Sequence, residues 1–273
     1  MPEVPDLEAI RGFFNQRVLD LTITDAELLI PYIGRFPPER FGEVLVGNRF
    51  RQVSRYGKFL LFRLASHDVL VINAMLTGRF QYVLPARRKS PKTCAIIGLE
   101  NGYQMRYRDQ RLMGKFYLAP EKDLSSVPQF GEMGPDLLDP ALTEEVFRER
   151  LRKYRGQIKS VLTNHKFVAG IGNAYSDEIL FVAGLHPYRK SSALTEEQVG
   201  KLYRAIGEVM DWAVPIVAEK MSEDLAYQEW RDHCRVHRKG GEPCPVCGTP
   251  ISAINAGGRE TNFCRTCQGD REG

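Results

Sequence analysis

The stretch VAGIGNAY, residues 168–175, sets the expected architecture of the second half of the chain. It lies between two segments of helical periodicity, at about 158–164 and about 174–183, and its two glycines predict a turn between two helices. Glycine lets a backbone approach a ligand closely, and the first N–H groups of the following helix are available to an anion. Asn173 precedes that helix, where it is suited to cap the helix or to donate a hydrogen bond to a phosphate oxygen.

Basic residues surround this predicted turn. The segment from Arg152 to Lys166 contains five Lys or Arg residues and no Asp or Glu. Helix-turn-helix units with basic flanks often bind the DNA backbone. An ordinary helical hairpin with an asparagine cap fits the same residues equally well, so the segment alone leaves both interpretations open.

A period of two residues dominates the chain from about residue 16 to residue 120. Short alternating runs are separated by glycine or asparagine at several places, which is typical of strands joined by tight turns. Many short strands predict a β-sandwich or barrel of about 100 residues. A helix is predicted before them over residues 5–15. The predicted strands are residues 20–24, 50–56, 58–64, 69–72, 79–83, 94–97 and 103–107.

Changes of period and composition predict the domain boundaries. Proline and glycine are frequent in residues 121–141, which indicates a linker after a β domain of residues 1–120. Helical periodicity resumes at about Thr143 and reappears over about 195–220, with Pro215 as an expected kink. The expected fold class is α+β: an N-terminal β-sandwich with a flanking helix, a helical domain over residues 142–240, and a small module over residues 241–273.

The small module contains four cysteines in two Cys-x-x-Cys pairs, with sixteen residues between the inner two. This spacing matches a closed, tetrahedral zinc site that stabilises a fold and leaves no open position for catalysis. Arg259 follows two glycines at the expected hairpin tip, where its planar guanidinium suits a phosphate. The predicted ligands of one zinc ion are Cys244, Cys247, Cys264 and Cys267.

The chain begins Met1-Pro2-Glu3. Pro2 is small, so removal of Met1 is expected, and the new terminus is then a secondary amine. An α-amino group has an ordinary pKa of about 8, so part of it is unprotonated near neutral pH and able to attack carbon. Glu3 places a carboxyl group beside that amine for proton transfer. The alternative is a frayed terminus in which Pro2 affects only processing.

Composition limits the remaining function classes. The net charge of +4 permits a polyanionic partner without requiring one. No apolar run approaches the roughly 20 residues of a membrane span, and the acidic start lacks a signal core, so a cytoplasmic protein is expected. Residues 85–92 are basic and bounded by prolines, which suits either a solvated hairpin tip or a phosphate contact. Cys94 is expected to be a buried apolar residue, and the sequence gives no argument for Cys234.

Three motifs together resemble the formamidopyrimidine-DNA glycosylase/endonuclease VIII family of bifunctional DNA repair enzymes. They are Pro2-Glu3, VAGIGNAY and the cysteine pairs around Gly258-Arg259, and they occur in the family's order over essentially the whole chain. The resemblance implies a helix-two-turn-helix motif and a zinc finger in the second half. It also implies a bacterial, monomeric base excision repair enzyme acting on double-stranded DNA that contains damaged bases or abasic sites.

The resemblance assigns roles to individual residues. Pro2 is implied to attack C1′ of the damaged nucleotide, with Glu3 as the proton donor and Lys58 as an assisting catalytic residue that contacts a phosphate. The strand then breaks by β- and δ-elimination. Asn173 and Arg259 are implied to bind the phosphates that flank the lesion, and Lys159 is a further candidate for DNA contact.

The same resemblance places Leu76 at the position of the residue that fills the vacated base stack in the family, and Met75 is its neighbour. Arg111 matches the arginine that reads the orphaned base in the oxidised-purine branch. At Asp6 the glutamate usual in the family is shortened, and Met113 replaces the phenylalanine wedge of the oxidised-purine branch. The opposite-base preference is therefore open.

Residues 221–235 do not resemble the loop that closes over 8-oxoguanine in that branch. Oxidised pyrimidines, ring-opened purines, further-oxidised guanines and abasic sites are therefore all candidate substrates. Trp230 and Tyr227 are candidates for stacking on an extruded base, although core packing explains them better. Two other functions fit the sequence: a non-catalytic damaged-DNA-binding protein of the same fold, and a zinc-ribbon scaffold for another protein.

Overall fold

The computed structural model describes residues 1–221, 225, 228–256 and 258–269, with the side chain of residue 256 excepted. The chain forms two compact units. The first contains residues 1–132 together with residues 217–229, and the second contains residues 133–216 together with residues 230–273. The segment that ends at residue 229 therefore belongs with the N-terminal residues, a return that the sequence pattern did not predict.

The first unit consists of two four-stranded antiparallel sheets and a flanking helix, which confirms the predicted β-sandwich. One sheet has the order β1-β6-β7-β5 and the other β2-β3-β4-β8. Its elements are α1 (Val4–Asn15), β1 (Ile23–Glu27), α2 (Glu39–Leu45), β2 (Phe50–Tyr56), β3 (Phe59–Leu64), β4 (Asp68–Asn73), β5 (Gly78–Val83), β6 (Thr93–Leu99), β7 (Gln104–Asp109) and β8 (Lys115–Pro120), with 3-10 turns at Pro31–Ile33 and Glu121–Ser126.

Aromatic side chains join α1 to both sheets. The ring of Phe14 lies 5.5 Å from that of Phe62 on β3 and 5.7 Å from that of Phe80 on β5, measured between centroids. All three side chains are buried. Burying a side chain of this size stabilises the fold by roughly 1.5–3 kcal/mol relative to exposure, so this contact fixes the helix that begins just after Pro2 and Glu3.

Three details differ from the predicted elements. The first strand begins at Ile23, not residue 20, because Asp20 has a left-handed φ of 61° that interrupts an extended chain. Helix α2 was missed because only Phe41 and Leu45 are buried in its seven residues, which is too short for a clear period. Strand β8 was missed because buried Phe116 and Tyr117 are adjacent, so its residues do not alternate.

The second unit is helical and ends in a small hairpin, as predicted. Pro215 lies inside one continuous helix, α6. Among the described residues, no helix combines the length and apolar character of a membrane span. The elements are α3 (Glu144–Leu151), α4 (Ile158–Leu162), α5 (Asn173–Val182), a 3-10 turn at Ser191–Ala193, α6 (Glu196–Met221, whose last residues belong to the first unit), β9 (Ser252–Ala256), β10 (Arg259–Phe263) and α7 (Arg265–Gln268).

Candidate active site and nucleic-acid interface

The N-terminal residues are held by the start of α1. Glu3 is the N-cap, and its backbone N–H donates to Asp6 Oδ2 at 2.8 Å while the Glu3 carboxyl accepts from the Asp6 backbone. This reciprocal capping box satisfies two backbone groups that a helix start leaves unpaired. Pro2 is buried beside it. The predicted nucleophile and its neighbouring carboxyl group therefore lie on an ordered helix start and not on a frayed end.

Asp6 also links this helix start to the far end of the first unit. Its Oδ1 accepts a hydrogen bond from the backbone N–H of Glu229 at 3.0 Å. The Glu229 carboxylate pairs with the N-terminal ammonium group and with Arg79. A carboxylate therefore faces the chain's own amine from a residue more than two hundred positions away, and no local sequence pattern signals it.

A second contact holds the same segment. The side-chain amide of Gln228 accepts from the backbone N–H of Phe80 at 3.0 Å and donates to the Phe80 carbonyl at 2.8 Å. The side-chain amide of Gln228 thus occupies both backbone hydrogen-bonding groups of Phe80 on β5, as a residue of an adjacent strand would. Tyr227, predicted as a candidate for base stacking, lies outside the described residues. Trp230 donates to Asp232 at 2.8 Å, and its ring lies 4.9 Å from that of His233.

Lys58 lies in the two-residue turn between β2 and β3. The turn begins at Gly57, whose φ of 56° suits glycine. Arg55 fixes the turn, because its guanidinium donates to the Gly57 carbonyl at 2.9 Å and to the Glu8 carboxylate of α1 at 2.7 Å. The Asn15 side chain adds a second anchor by pairing with both backbone groups of Val53 on β2.

These contacts connect the elements that carry the three predicted catalytic residues. Pro2 and Glu3 precede α1, and Lys58 is carried by the β2–β3 turn. The ion pair between Glu8 and Arg55 joins the two elements directly, with the Arg55 side chain only 3% exposed. The sequence predicted the three residues as catalytic, but it did not predict the ion pair that joins the elements carrying them.

Leu76 and Arg111 lie on two turns at one end of a sheet. Gly78 at the start of β5 is paired with Asp109 at the end of β7, so the turn before β5 and the turn after β7 are adjacent. Leu76 is 38% exposed and Arg111 is exposed, whereas Met113 is half-buried. Both predicted DNA contacts are thus available at the tips of neighbouring turns.

The basic loop of residues 85–92 is anchored from within the sheet. Arg106 is buried, and its guanidinium donates to the carbonyl groups of Pro85 at 3.0 Å and Arg87 at 2.8 Å. Gln104 accepts from the same guanidinium at 2.7 Å. The loop therefore has a fixed base beneath its exposed cations.

In the second unit, Asn173 contacts the hairpin. It is the first residue of α5, and Gly172, not Asn173, is the N-cap. The Asn173 amide donates to the carbonyl of Glu260 at 2.9 Å. Glu260 follows Arg259, which is exposed at the start of β10. The structure therefore brings together the asparagine of the predicted turn and the arginine of the predicted hairpin tip.

Lys159 is buried, and its amine is used within the protein. Its Nζ lies 2.6 Å from Asp177 Oδ1, 2.9 Å from Thr261 Oγ1 and 3.3 Å from the Glu260 carbonyl. Lys159 shares the Glu260 carbonyl with Asn173, but its amine faces the interior. The other oxygen of Asp177 lies 2.8 Å from His237 Nδ1.

Glu178 anchors the segment that leads into the hairpin. Its buried carboxyl accepts from the backbone N–H groups of Arg235, Val236 and His237 at 2.9–3.0 Å. Burial raises the pKa of Glu178, and the three N–H groups act in the opposite direction. Neither Asp177 nor Glu178 was singled out from the sequence, since a buried carboxyl group has no local signature.

The four predicted zinc ligands converge. Their sulfur atoms all lie within 4.8 Å of one another, with 3.7 Å between Cys244 and Cys267 and 3.4 Å between Cys247 and Cys264. A tetrahedral zinc ion with bonds of about 2.3 Å requires separations of roughly 3.8 Å, so the cluster fits. These cysteines are the ligands of one structural zinc ion, which would tie the Cys244–Cys247 turn before β9 to the start of α7.

The two isolated cysteines have no part in this cluster. Cys94 on β6 is fully buried, and burial raises the pKa of its thiol to about 11. This agrees with its expected role as a small apolar residue. Cys234 is also buried.

Comparison with known proteins assigns the chain to a family. Its residues 1–116 match the formamidopyrimidine-DNA glycosylase N-terminal domain, residues 133–224 the H2TH domain of that family, and residues 241–269 a zinc finger found in FPG and IleRS. Two curated relatives match over nearly the full length and carry the same name, formamidopyrimidine-DNA glycosylase. That from Desulforamulus reducens is 34% identical over 98% of this chain and 99% of the relative. That from Symbiobacterium thermophilum is 35% identical over 100% and 91%.

A solved structure agrees in fold. The Lactococcus lactis Fpg in complex with an abasic-site-containing DNA superposes with a TM-score of 0.90 at 27% identity, covering 98% of this chain and 100% of that one. The chain belongs to the formamidopyrimidine-DNA glycosylase family. It is therefore a DNA glycosylase of base excision repair with a zinc finger. The family resemblance predicted from its three motifs is confirmed.

Proposed function

We propose that this protein removes oxidised or ring-opened bases from double-stranded DNA through its N-terminal proline and then cleaves the strand at the resulting abasic site. The observation that carries the proposal is the ordered start of the chain: Pro2 is buried next to the Glu3–Asp6 capping box, in the unit that also holds the Lys58 turn. Relatives of the chain carry the glycosylase name, and a structural neighbour was solved with abasic-site DNA.

The chemistry begins once Met1 has been removed. The secondary amine of Pro2 attacks C1′ and gives up its proton, and the bond from C1′ to the base breaks with its electron pair leaving on the base, which takes up that proton. Glu3 donates a proton to the sugar ring oxygen as the ring opens, which leaves an iminium between Pro2 and C1′. The positive charge acidifies the C2′ proton. Loss of that proton expels the 3′ phosphate, and a second elimination expels the 5′ phosphate.

Contacts to the DNA backbone hold the lesion in place. Asn173 and Arg259 bind the phosphates that flank the lesion, since both belong to the α5–hairpin arrangement with its shared Glu260 carbonyl. Lys58 assists from its fixed turn. Leu76 fills the vacated stack and Arg111 contacts the orphaned base. Moving a nucleotide out of the helix costs a few kcal/mol, which favours damaged or mispaired bases.

Reductive trapping tests the chemistry. The purified full-length protein is mixed with duplex DNA containing an abasic site and reduced with borohydride, which converts the iminium into a stable covalent adduct. We expect one adduct per active protein and expect it to disappear when Pro2 is acetylated or preceded by an extra residue. Mass spectrometry of the untreated protein confirms the start at Pro2.

Matched variants separate the roles. Glu3→Gln is expected to lower the trapping rate strongly, because it removes the proton donor. Lys58→Ala is expected to lower the trapping rate less, because Lys58 only assists. DNA binding without any adduct would support instead a damaged-DNA-binding protein of the same fold. Absence of DNA affinity would support a scaffold that binds another protein.

A further inference from the structure

Two turns of the first unit, residues 74–77 and residues 110–114, are joined by a buried carboxylate. Asp109 is fully buried and accepts hydrogen bonds from the Thr77 hydroxyl, from the Gly114 N–H at 2.6 Å and from the Arg111 N–H at 3.2 Å. The Thr77 hydroxyl also accepts from the Arg111 N–H at 3.0 Å. One carboxylate and one hydroxyl group therefore connect the turn that carries Leu76 with the turn that carries Arg111.

Tyr107 connects the same two turns from below. A Cβ atom added to either Gly78 or Gly114 would lie 2.0 Å from the Tyr107 hydroxyl oxygen, so the phenol is enclosed by both glycines. The hydroxyl donates to the carbonyl of Ala74 at 3.4 Å. Side chains other than glycine do not fit at these two positions while Tyr107 stays in place.

The backbone of each turn is strained at one residue. Met75 has a φ of 49° and Leu112 a φ of 54°, a left-handed region that favours glycine. Such conformations persist where surrounding contacts over-determine them. Here the Met75 N–H donates to Asn73 Oδ1 at 3.0 Å, while Asp109, Thr77 and Tyr107 hold the interior side of both turns and the tips remain exposed.

We propose that Asp109, Thr77 and Tyr107 are positioning residues that hold the two turns as one rigid wedge, so that Leu76 and Arg111 enter the DNA stack together. This inference rests on the proposed function, in which those two residues occupy the vacated stack. A wedge ordered before binding loses little conformational freedom on insertion, which favours the extruded state. Coupled insertion also means that the fit of Arg111 to the orphaned base determines whether Leu76 is seated. We call Asp109, Thr77 and Tyr107 the clamp. Through the clamp, the identity of the orphaned base changes the rate of base removal.

Thr77→Val tests the clamp because it removes the bridging hydroxyl while keeping size and branching. The matched control is Thr24→Val, an exposed threonine on β1 of the same unit. Base removal is measured in single turnover on a lesion opposite each of the four normal bases. Borohydride trapping is measured in parallel on an abasic site opposite a one-nucleotide gap, where no orphaned base exists and no stack is filled.

We expect Thr77→Val to lower base removal in the duplex about tenfold, the loss expected when a hydrogen bond to a charged group no longer supports the inserted state. The ratio between the best and worst opposite bases should shrink as well. Trapping opposite the gap should stay within about twofold of the parent, because each tenfold loss requires about 1.4 kcal/mol of lost stabilisation and none is lost there. Tyr107→Phe should show the same pattern and serves as the second variant if Thr77→Val unfolds.

Other outcomes overturn the clamp. Equal loss on duplex and gapped substrates indicates general damage to the fold, and unchanged discrimination indicates that the turns act independently. Failure of the parent protein to form any trapped adduct would instead refute the proposed function. A 2-aminopurine placed opposite the lesion adds a direct signal, since its fluorescence reports unstacking and should change less in the Thr77 variant.

Discussion

The amine of Lys159 lies 2.6 Å from the carboxylate of Asp177, with both side chains buried. Asp177 also contacts His237 at 2.8 Å, so one carboxylate joins α4, α5 and the segment that leads to the zinc hairpin. The same amine reaches the Glu260 carbonyl to which Asn173 donates. We therefore assign Lys159 a structural role in placing Asn173 and Arg259, in addition to its predicted proximity to DNA.

Replacement of Lys159 tests that role. Lys159→Met leaves the buried Asp177 carboxylate with His237 but without its ammonium partner, and it is expected to lower the free energy of unfolding by about 3 kcal/mol. The slope of log Kd against log salt should stay unchanged, because no phosphate contact is lost. Arg259→Ala should instead reduce that slope by about one with little loss of stability. A reduced slope in a fully stable Lys159 variant would show that Lys159 contacts phosphate directly.

Glu229→Gln should slow the covalent step and spare DNA binding. The Glu229 carboxylate faces the chain's amine, and successive residues are separated by roughly 3.5 Å, so the processed Pro2 amine remains within its field. At a pH well above the ordinary pKa of the amine, where the amine is neutral in both proteins, loss of this countercharge to the developing iminium is expected to slow its formation about tenfold. Affinity should not fall, because the change removes a negative charge. Glu39→Gln, an exposed site in the same unit, is the control, and equal rates in both variants would contradict the role.

Arg55→Lys should disconnect the Lys58 turn from α1. Lysine keeps the charge but cannot donate to Glu8 and to the Gly57 carbonyl with a planar fork. We expect a loss of about 1–3 kcal/mol in the free energy of unfolding and slower trapping of abasic DNA. Urea unfolding and single-turnover trapping measure the two effects. Unchanged trapping in a destabilised variant would show that the ion pair supports only the fold.

Removal of zinc should weaken DNA binding while the β-sandwich stays folded. The four sulfur atoms hold a module with a very small apolar core, so the bound metal supplies much of its folding free energy. A chelator is expected to unfold residues 241–269 and weaken binding, with zinc loss verified by metal analysis. Retained affinity after complete zinc loss would contradict this.

Two cysteine variants provide the matched comparison for zinc. Cys247→Ser should lower the zinc content, and Cys94→Ala should leave it unchanged because Cys94 lies outside the cluster. Since burial raises the pKa of Cys94 to about 11, that thiol should also resist alkylation in the native protein at neutral pH. Rapid alkylation of Cys94 in the folded protein would contradict its buried position.

Local patterns in the sequence identified most elements of the fold. Strand β2 and helix α1 were predicted almost to the residue because their periods are clear. Strand β8 was missed because its apolar residues are adjacent, and α2 because it is too short. A pattern of alternation reports which face of an element is buried, whereas a fully buried strand such as β6 is indicated by a short apolar run.

The candidate site residues were predicted one by one, but the contacts that connect them were not. Pro2, Lys58, Asn173 and Arg259 each belong to a short motif. The bond from Glu229 to Asp6 and the pair of Lys159 with Asp177 join residues that are distant in sequence, and hydrogen bonds of this kind impose no period on the chain. Such contacts can be recognised only in the folded structure, where the backbone brings the two partners together.

The grip of Arg106 on the basic loop has a consequence for engineering. It holds two main-chain oxygens, those of Pro85 and Arg87, and it recognises no side chain of the loop. Residues at the loop's apex are therefore interchangeable in principle without disturbing the platform beneath them. Exchanging Arg88 and Lys89 for neutral or acidic residues should therefore lower the attraction to polyanions without altering the sheet or the N-terminal residues.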